Sequence, residues 1–142
     1  MPEGYRFLEH TTDAEIESYG KTMEEAFENA AKALEDTLVN IEKIKPQIEE
    51  EISVTGKDIE ALLYSWLEAL IIRVDETNML FSKFECKISK TEKGFLLEAK
   101  VFGEKFDPKR HEEKTGVKAP TYHGMKVEEK NRQITLRFIL DL

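Results

Sequence analysis

The stretch IEALLYSWLEALIIRV, residues 59–74, decides the fold class that this sequence predicts. Its apolar residues recur three and four positions apart, which is the spacing that buries one face of an α-helix. Alanines and Ile72 widen that apolar face, so we expect this helix to lie at the centre of the protein. The main apolar positions are Ile59, Leu62, Leu63, Trp66, Leu67, Leu70, Ile71 and Val74.

A second helix is predicted upstream of the central one, beginning after Thr22. Thr22 and Glu25 form a capping box, in which the hydroxyl and the carboxylate each accept a hydrogen bond from a backbone N–H group. From Met23 to Leu38 the apolar residues again follow helical spacing.

Short runs that alternate apolar and polar residues predict about seven strands around the two helices. They lie near residues 5–8, 15–19, 52–56, 84–89, 95–102, 121–127 and 133–141, with a turn at 10–13 and a polar loop at 103–117. Because consecutive strands come in runs, the fold class is α+β. We therefore predict a single domain, residues 1–142, in which two helices pack on a mainly antiparallel sheet of about seven strands.

Net charge and cysteine usage limit the expected partners and location. The formal net charge is −8, whereas a protein that grips nucleic-acid phosphates normally carries a basic face. We therefore expect no strong direct nucleic-acid binding. The Met-Pro-Glu-Gly start has no secretory signal, no apolar run is long enough to span a membrane, and one cysteine suits a reducing compartment. A cytoplasmic protein without membrane contact is expected.

The balance of polar residues is typical of proteins from hot environments. Charged residues make up 35% of the chain, and asparagine and glutamine together number only six. We expect a melting midpoint above the mesophilic range of roughly 45–65 °C.

Sequence motifs for catalysis are absent. Neither GxGxxG nor GxxxxGK[ST], the phosphate-cradling loops, occurs in the chain. Cys86 lies two positions from Phe84 and two from Ile88, so in a strand it would face the same side as these apolar residues. This predicts a small core residue rather than a nucleophile. His10, His111 and His123 lie in separate segments without the spacing of zinc ligands. The chain is therefore not expected to be an enzyme.

Three carboxylates suggest a different kind of site. Asp141 is the penultimate residue, so an ordered last strand would place its side chain beside the terminal carboxylate of Leu142. Two adjacent anions persist more easily near a cation. Asp13 is flanked by Thr11 and Thr12, and carboxylate, carbonyl and hydroxyl oxygens are the ligands of Ca²⁺ and Mg²⁺. The residues leave two interpretations open, a cation site or a turn-capping Asp13 with a solvated Asp141.

Five segments, in this order along the chain, resemble the archease family. They are HTTDAEI (10–16), GKTMEEAF (20–27), LLYSWL (62–67), GEKFD (103–107) followed by His111 and GVKAPTYH (116–123), and the terminal Asp141-Leu142. The resemblance covers essentially the whole chain. Pro120 stands where the family has an aliphatic residue and leaves the charged positions unchanged.

The resemblance implies a non-enzymatic activator of an RtcB-type RNA ligase in tRNA splicing. Such a ligase uses GTP and a divalent metal to attach a guanylate to its own histidine, and it then joins the two tRNA halves. The activator promotes that guanylylation, restores multiple turnover and meets the tRNA halves only through the ligase.

The resemblance also implies a metal site and a partner surface. The metal ligands are Asp13, Asp141 and the main chain of Leu142; calcium is the expected ion, with magnesium and manganese as alternatives. The residues expected to contact the ligase are His10, Lys118 and His123.

Two other functions remain open from the sequence. A small metal-dependent hydrolase would use the same cation, with His10 or Glu15 as the general base. A chaperone of RNA or protein would show salt-dependent RNA binding. The mixed charges of segment 104–118 predict a surface loop, which either meets the ligase or is merely solvated.

Overall fold

Seven strands and two helices make up the described part of the chain, residues 4–8 and 13–142, in this computed structural model. In chain order they are β1 (Tyr5–Phe7), β2 (Asp13–Gly20), α1 (Met23–Leu38), β3 (Ile48–Gly56), α2 (Ile59–Thr77), β4 (Met79–Thr91), β5 (Gly94–Lys105), β6 (Ala119–Lys130) and β7 (Gln133–Asp141). A 3₁₀ turn, Ile41–Lys43, follows α1. Neither helix of this part is both long enough and apolar enough to cross a membrane. The predicted α+β class, with two helices and seven strands, is confirmed.

Both helices begin at side-chain caps. The Thr22 hydroxyl accepts a hydrogen bond from the Glu25 N–H (3.1 Å), as the capping box predicts. The Glu25 carboxylate accepts from the N–H of Lys21 (2.8 Å) rather than from that of Thr22. At α2, the Asp58 carboxylate accepts from the Ala61 N–H (2.8 Å). Both helices therefore start where the sequence predicts.

The seven strands are divided between two antiparallel sheets. The first sheet has the order β1-β2-β7-β6 and the second the order β3-β5-β4. Helix α1 contacts β2 of the first sheet and β4 of the second, while α2 contacts β6 and β3. The helices thus form a middle layer between the sheets. The wide apolar face of residues 59–74 suits this place, because a helix covered from two sides buries more of its circumference.

Strand β4 begins earlier than the sequence predicts. Alternation predicts a start near Phe84, whereas the strand begins at Met79. The residues from Met79 to Phe81 are all buried, so no alternation marks them, and the pairing with β5 shifts register immediately after Phe81. Strand β5 likewise runs on to Lys105, which shortens the predicted polar loop to residues 106–118.

Helix α1 covers the outer edge of β4 with carboxylates. β4 is a terminal strand of its sheet, so one side of its backbone has no strand beside it. Glu28 accepts a hydrogen bond from the Cys86 N–H (2.8 Å), and Glu24 accepts one from the Ile88 N–H (3.4 Å). Cys86 is half-buried and packs against the core, and burial raises the pKa of its thiol.

Candidate functional site

Asp13 and Asp141 meet at one end of the first sheet. Asp13 opens β2, Asp141 closes β7, and the antiparallel register pairs the two residues directly. Directly opposed residues of such a pair have Cα atoms roughly 4.5–5.5 Å apart. The structure therefore brings together two of the three residues predicted to form a metal site.

Both carboxylates lie on the outward face of the sheet. Burial alternates along β2 and β7, so Ala14 and Leu140 are buried on the helix side while Asp13 is partly exposed and Asp141 is exposed. Leu142, the last residue, is partly buried and packs against the core. The chain end is thus held beside the two aspartates instead of fraying as termini commonly do.

The available donor atoms at this end are oxygens. Asp13, Asp141 and the terminal carboxylate of Leu142 offer carboxylate oxygens, which suit hard cations such as Ca²⁺ better than zinc. Within residues 4–8 and 13–142, no three or more His, Cys, Asp or Glu side chains form a group that could hold a metal. Among these residues Asp13 and Asp141 thus supply only two side-chain ligands, and the main chain of Leu142 is the third ligand that the sequence predicts.

Charge at this end of the sheet is concentrated. Glu15, which follows on the same face of β2, has its carboxylate 3.0 Å from Arg137 Nε. Asp13 and Asp141 take part in none of the ion pairs formed by the described residues. Like charges placed directly opposite on neighbouring strands repel each other. The pair therefore carries an electrostatic cost that a bound cation would remove.

Two of the three predicted partner-contact residues, Lys118 and His123, are described, and they lie at separate points at and after the start of β6. The Lys118 N–H donates to the Asp141 carbonyl oxygen (2.8 Å), so Lys118 lies beside the candidate metal site. His123 is exposed farther along β6, beyond the residues that pair with the end of β7. His10 and the two threonines after it lie outside the described residues.

Segment 106–118, which leads to this end of the sheet, starts at a buried cluster around Glu104. Glu104 is 6% exposed, and its carboxylate accepts a hydrogen bond from Arg110 Nη1 (2.8 Å) and forms an ion pair with Arg110 Nη2 (2.7 Å). It also accepts from the Lys45 N–H (2.9 Å) and lies 2.8 Å from His111 Nε2. The bonds from Arg110 in particular lower the pKa of Glu104 to about 2, against the effect of burial.

His111 is buried with both ring nitrogens hydrogen-bonded. The Asp107 N–H donates to Nδ1 (2.8 Å), so Nδ1 holds a lone pair and Nε2 donates its proton to Glu104. Phe106 stacks on the ring, with centroids 5.9 Å apart. The prediction of a surface loop is therefore wrong for Glu104 and His111, because their polar atoms are satisfied inside the fold. The sequence offered only a glutamate and a histidine on either side of Pro108, with no sign that they meet.

Comparison with known proteins identifies relatives that cover nearly the whole chain. Residues 5–142 match the model of the Archease protein family (MTH1598/TM1083). The chain is similar to the Protein archease of Sulfurisphaera tokodaii, with 46% identity over 138 residues that cover 97% of this chain and 98% of the relative. It is also similar to the Protein archease of Pyrococcus abyssi, with 50% identity over 124 residues, or 87% of each chain.

Solved structures share the architecture. The solution structure of Methanobacterium thermoautotrophicum protein 1598 matches with a TM-score of 0.86 and 36% identity, covering 98% of this chain and 99% of that one. An archease from Thermotoga maritima, described as a possible chaperone, matches with a TM-score of 0.63 and 21% identity over 95% of this chain and 94% of that one. The second likeness concerns the fold alone.

Proposed function

This chain belongs to the archease family, and we propose that it activates an RtcB-type RNA ligase without being an enzyme itself. It promotes guanylylation of the ligase's active-site histidine and sustains multiple turnover while tRNA halves are joined. Family membership supports this role. The net charge of −8 suits a basic protein face better than RNA, and complementary charge would speed association with such a face.

The activator carries, in this proposal, one divalent cation at the end of the first sheet. Its ligands are Asp13, Asp141 and Leu142, and calcium is the ion, with magnesium or manganese as substitutes. The observation that carries this part is the direct pairing of Asp13 with Asp141 beside a packed chain end. A bound divalent cation would offset two of the three negative charges and relieve their mutual repulsion.

The chain's own residues hold the ligands in place. Pairing of β2 with β7 keeps the backbones of Asp13 and Asp141 at adjacent positions. The side chain of Leu142 packs against the core, which keeps the terminal carboxylate near the pair.

Contact with the ligase is proposed for Lys118, His10 and His123. Lys118 has an exposed side chain, and its backbone N–H donates to the Asp141 carbonyl oxygen (2.8 Å), so the residue lies next to the site. His123 is exposed on β6 and would extend the contact along that strand.

A metal-dependent hydrolase is the alternative that uses the same site. It requires a general base close to the cation. Glu15 lies near enough in the strand, but its carboxylate is 3.0 Å from Arg137 Nε, and a neighbouring positive charge disfavours protonation of a carboxylate. A chaperone, the third candidate, would bind RNA or unfolded protein in the absence of any ligase.

The test is ligation of tRNA halves by the cognate ligase under single- and multiple-turnover conditions. The proposal expects product beyond one equivalent of ligase only when this protein is added. Asp13→Asn should lose that stimulation together with Ca²⁺ binding measured by calorimetry, because the amide keeps the size but not the charge. Glu15→Gln is the matched control, since it removes one negative charge from the same face of β2.

Three outcomes would contradict parts of the proposal. Absence of stimulation by the parent protein would refute activation. Full stimulation and unchanged Ca²⁺ affinity in Asp13→Asn would show that Asp13 is only a turn residue and not a metal ligand. Chemical turnover of a phosphate ester by the isolated protein would favour the hydrolase.

Deletion of Leu142 tests the chain end separately. The deletion makes Asp141 the terminus and leaves the number of negative charges unchanged. If the terminal carboxylate acts only through its charge, Ca²⁺ binding should be kept; if it coordinates the ion, binding should be lost. Because Leu142 packs against the core, the melting midpoint must be measured alongside. A deletion variant with full Ca²⁺ affinity and full stimulation would remove the terminus from the site.

A further inference from the structure

We propose that Glu104 and His111 are positioning residues for the Asp13–Asp141 end of the first sheet, and that they act through segment 106–118. Their importance for the ligase rests on the proposed function. The link between the Glu104 cluster and Asp141 rests on a series of contacts at the start, the middle and the end of segment 106–118.

The start of the segment is fixed by the Glu104 cluster. Glu104 connects its own strand with the Lys45 backbone and with two side chains of the segment, Arg110 and His111. The His111 N–H also donates to the Asp107 carbonyl oxygen (2.8 Å), which closes the turn on itself. A two-pronged guanidinium pair has a fixed planar geometry, so the cluster sets the direction in which the segment continues.

The middle of the segment is bonded to the C-terminal end of α1. The Lys114 N–H donates to the Leu38 carbonyl oxygen (2.8 Å), and Lys114 Nζ donates to the Asp36 carbonyl oxygen (2.9 Å) and carboxylate (3.1 Å). The Asn40 N–H donates to the Glu112 carbonyl oxygen (3.0 Å). Helix α1 has no basic residue in its last turn, so the segment supplies the cation that suits a helix C-terminus.

The end of the segment holds the beginning of β6 against Asp141. The Lys118 N–H donates to the Asp141 carbonyl oxygen, and Ala119 pairs with Asp141. Pro120 has no N–H to donate, and after Thr121 the register between β6 and β7 becomes irregular. Regular pairing at the start of β6 is therefore limited to the residues from Ala119 to Thr121, so the segment that precedes them contributes to holding them in position.

Asp141 thus has a sheet neighbour on each side, and segment 106–118 leads directly into one of them. The neighbour in β2 is Asp13, and the neighbour into which the segment leads is Ala119. Lys114 and Leu142 also line a common cleft of about 290 Å³, so the segment reaches the terminal residue as well. Loosening the Glu104 cluster would free the β6 side of Asp141 while leaving the β2 side paired.

The test compares Glu104→Gln and His111→Gln with Lys109→Gln in the full-length protein. Lys109 is exposed in the same segment, and its replacement removes one charge without touching the Glu104 cluster. NMR hydrogen exchange of the Lys118 N–H is measured relative to amides in the centre of α2. We expect exchange at Lys118 to become at least about tenfold faster in the first two variants and to stay unchanged in the control.

Calcium titration of the same variants by calorimetry supplies a second measurement. We expect the affinity to fall roughly tenfold in Glu104→Gln and His111→Gln, which is the size of effect seen when a residue that orients a metal ligand is removed. Lys109→Gln should bind Ca²⁺ as the parent does.

Unchanged exchange at Lys118 would overturn the proposal, because the segment would then not be coupled to the cluster. Acceleration equal to that of the α2 amides would also overturn it, because the cluster would then stabilise only the whole fold. If the parent protein binds no Ca²⁺, the metal part of the proposed function fails, and the exchange at Lys118 alone decides the positioning role.

Discussion

Two buried glutamates, Glu35 in α1 and Glu104 in β5, are held in opposite ways. Glu35 is fully buried, and one of its oxygens accepts a hydrogen bond from the Phe81 N–H (3.2 Å). The other oxygen has no hydrogen-bond partner among the described residues, and burial raises the pKa of Glu35 to about 8. Around Glu104, the Arg110 guanidinium leads a set of donors that lowers the pKa to about 2.

The difference shows that the donors around a carboxyl group, rather than burial alone, decide its charge in this fold. Glu35 stays protonated at neutral pH as an uncharged member of the core, whereas Glu104 stays ionised and binds segment 106–118. Asp13 and Asp141 are a third case, because they face outward and oppose each other without an ion pair among the described residues.

The largest effect is expected from Glu35→Gln measured as a function of pH. The folded pKa of Glu35 is raised from 4.5 to about 8, so stability is fully present below pH 4.5 and is lost as the pH rises towards 8. The loss is on the order of 4 kcal/mol at about 1.4 kcal/mol for each pH unit. Gln accepts the Phe81 N–H and stays neutral, so the variant should lack this dependence.

Guanidinium unfolding at pH 5 and pH 8.5 checks this expectation. The quantity to compare is the change in unfolding free energy between the two pH values, because any fixed cost of the buried amide cancels. Glu68→Gln, at an exposed position of α2, is the control. An identical pH dependence in parent, Glu35→Gln and control would show that Glu35 is ionised in the fold.

A smaller effect with the opposite sign is expected from Glu104→Gln. The folded pKa is lowered, so the stabilisation by Glu104 is present above pH 4.5 and is lost as the pH falls towards 2. Removing the charge leaves Arg110 without its carboxylate, and we expect a loss of about 2–3 kcal/mol at pH 7, below the usual range for a fully buried pair because Arg110 is partly exposed.

Unfolding free energies at pH 7 and pH 2.5 provide the measurement, with Glu98→Gln on the exposed face of β5 as the control. The difference between Glu104→Gln and the parent should shrink at the lower pH, where the parent carboxylate begins to protonate. A difference that is the same at both pH values would mean that the ion pair contributes nothing beyond its hydrogen bonds.

The smallest effect is expected from Asp141→Asn. Without divalent metal, removal of one of two directly opposed negative charges should stabilise the fold by about 0.5 kcal/mol at low ionic strength. With Ca²⁺ present, the parent should gain stability on binding and the variant should gain less. Melting curves in EDTA and in excess Ca²⁺ test both parts, with Glu15→Gln as the control.

Lower stability of Asp141→Asn in EDTA would contradict the repulsion, and an equal gain on adding Ca²⁺ would contradict coordination by Asp141. Either result would mean that groups of the protein already compensate the charge of Asp13 and Asp141, as they do for Glu104.

Helices and strands could be predicted from the sequence where the spacing of their apolar residues shows which side of the element is buried. Helix spacing located both helices, and the capping box at Thr22 located the start of the first. The start of β4 was missed because Met79 to Phe81 are buried in succession and leave no alternation. The division of the strands between two sheets was also missed, since periodicity within a strand says nothing about which strand pairs with it.

The candidate site, too, could be predicted from the sequence only in part. The chemistry of Asp13 and Asp141 was visible in the residues, but their contact follows from pairing between strands at opposite ends of the chain. Glu104 and His111 looked like parts of a solvated loop because charged residues are normally exposed, and only the folded contacts show that donors compensate their burial. The metal ligands and the ligase contacts remain predictions.

The carboxylates of α1 that cover the edge of β4 also bear on how the protein behaves in concentrated solution. A long outer strand is a template on which another chain can add a strand, and β4 has 13 residues. At Cys86 and Ile88 the outward N–H groups are already taken by Glu28 and Glu24. An approaching strand would have to displace both carboxylates and meet their negative charge. The helix that builds the core therefore also keeps neighbouring molecules from joining their sheets along this edge.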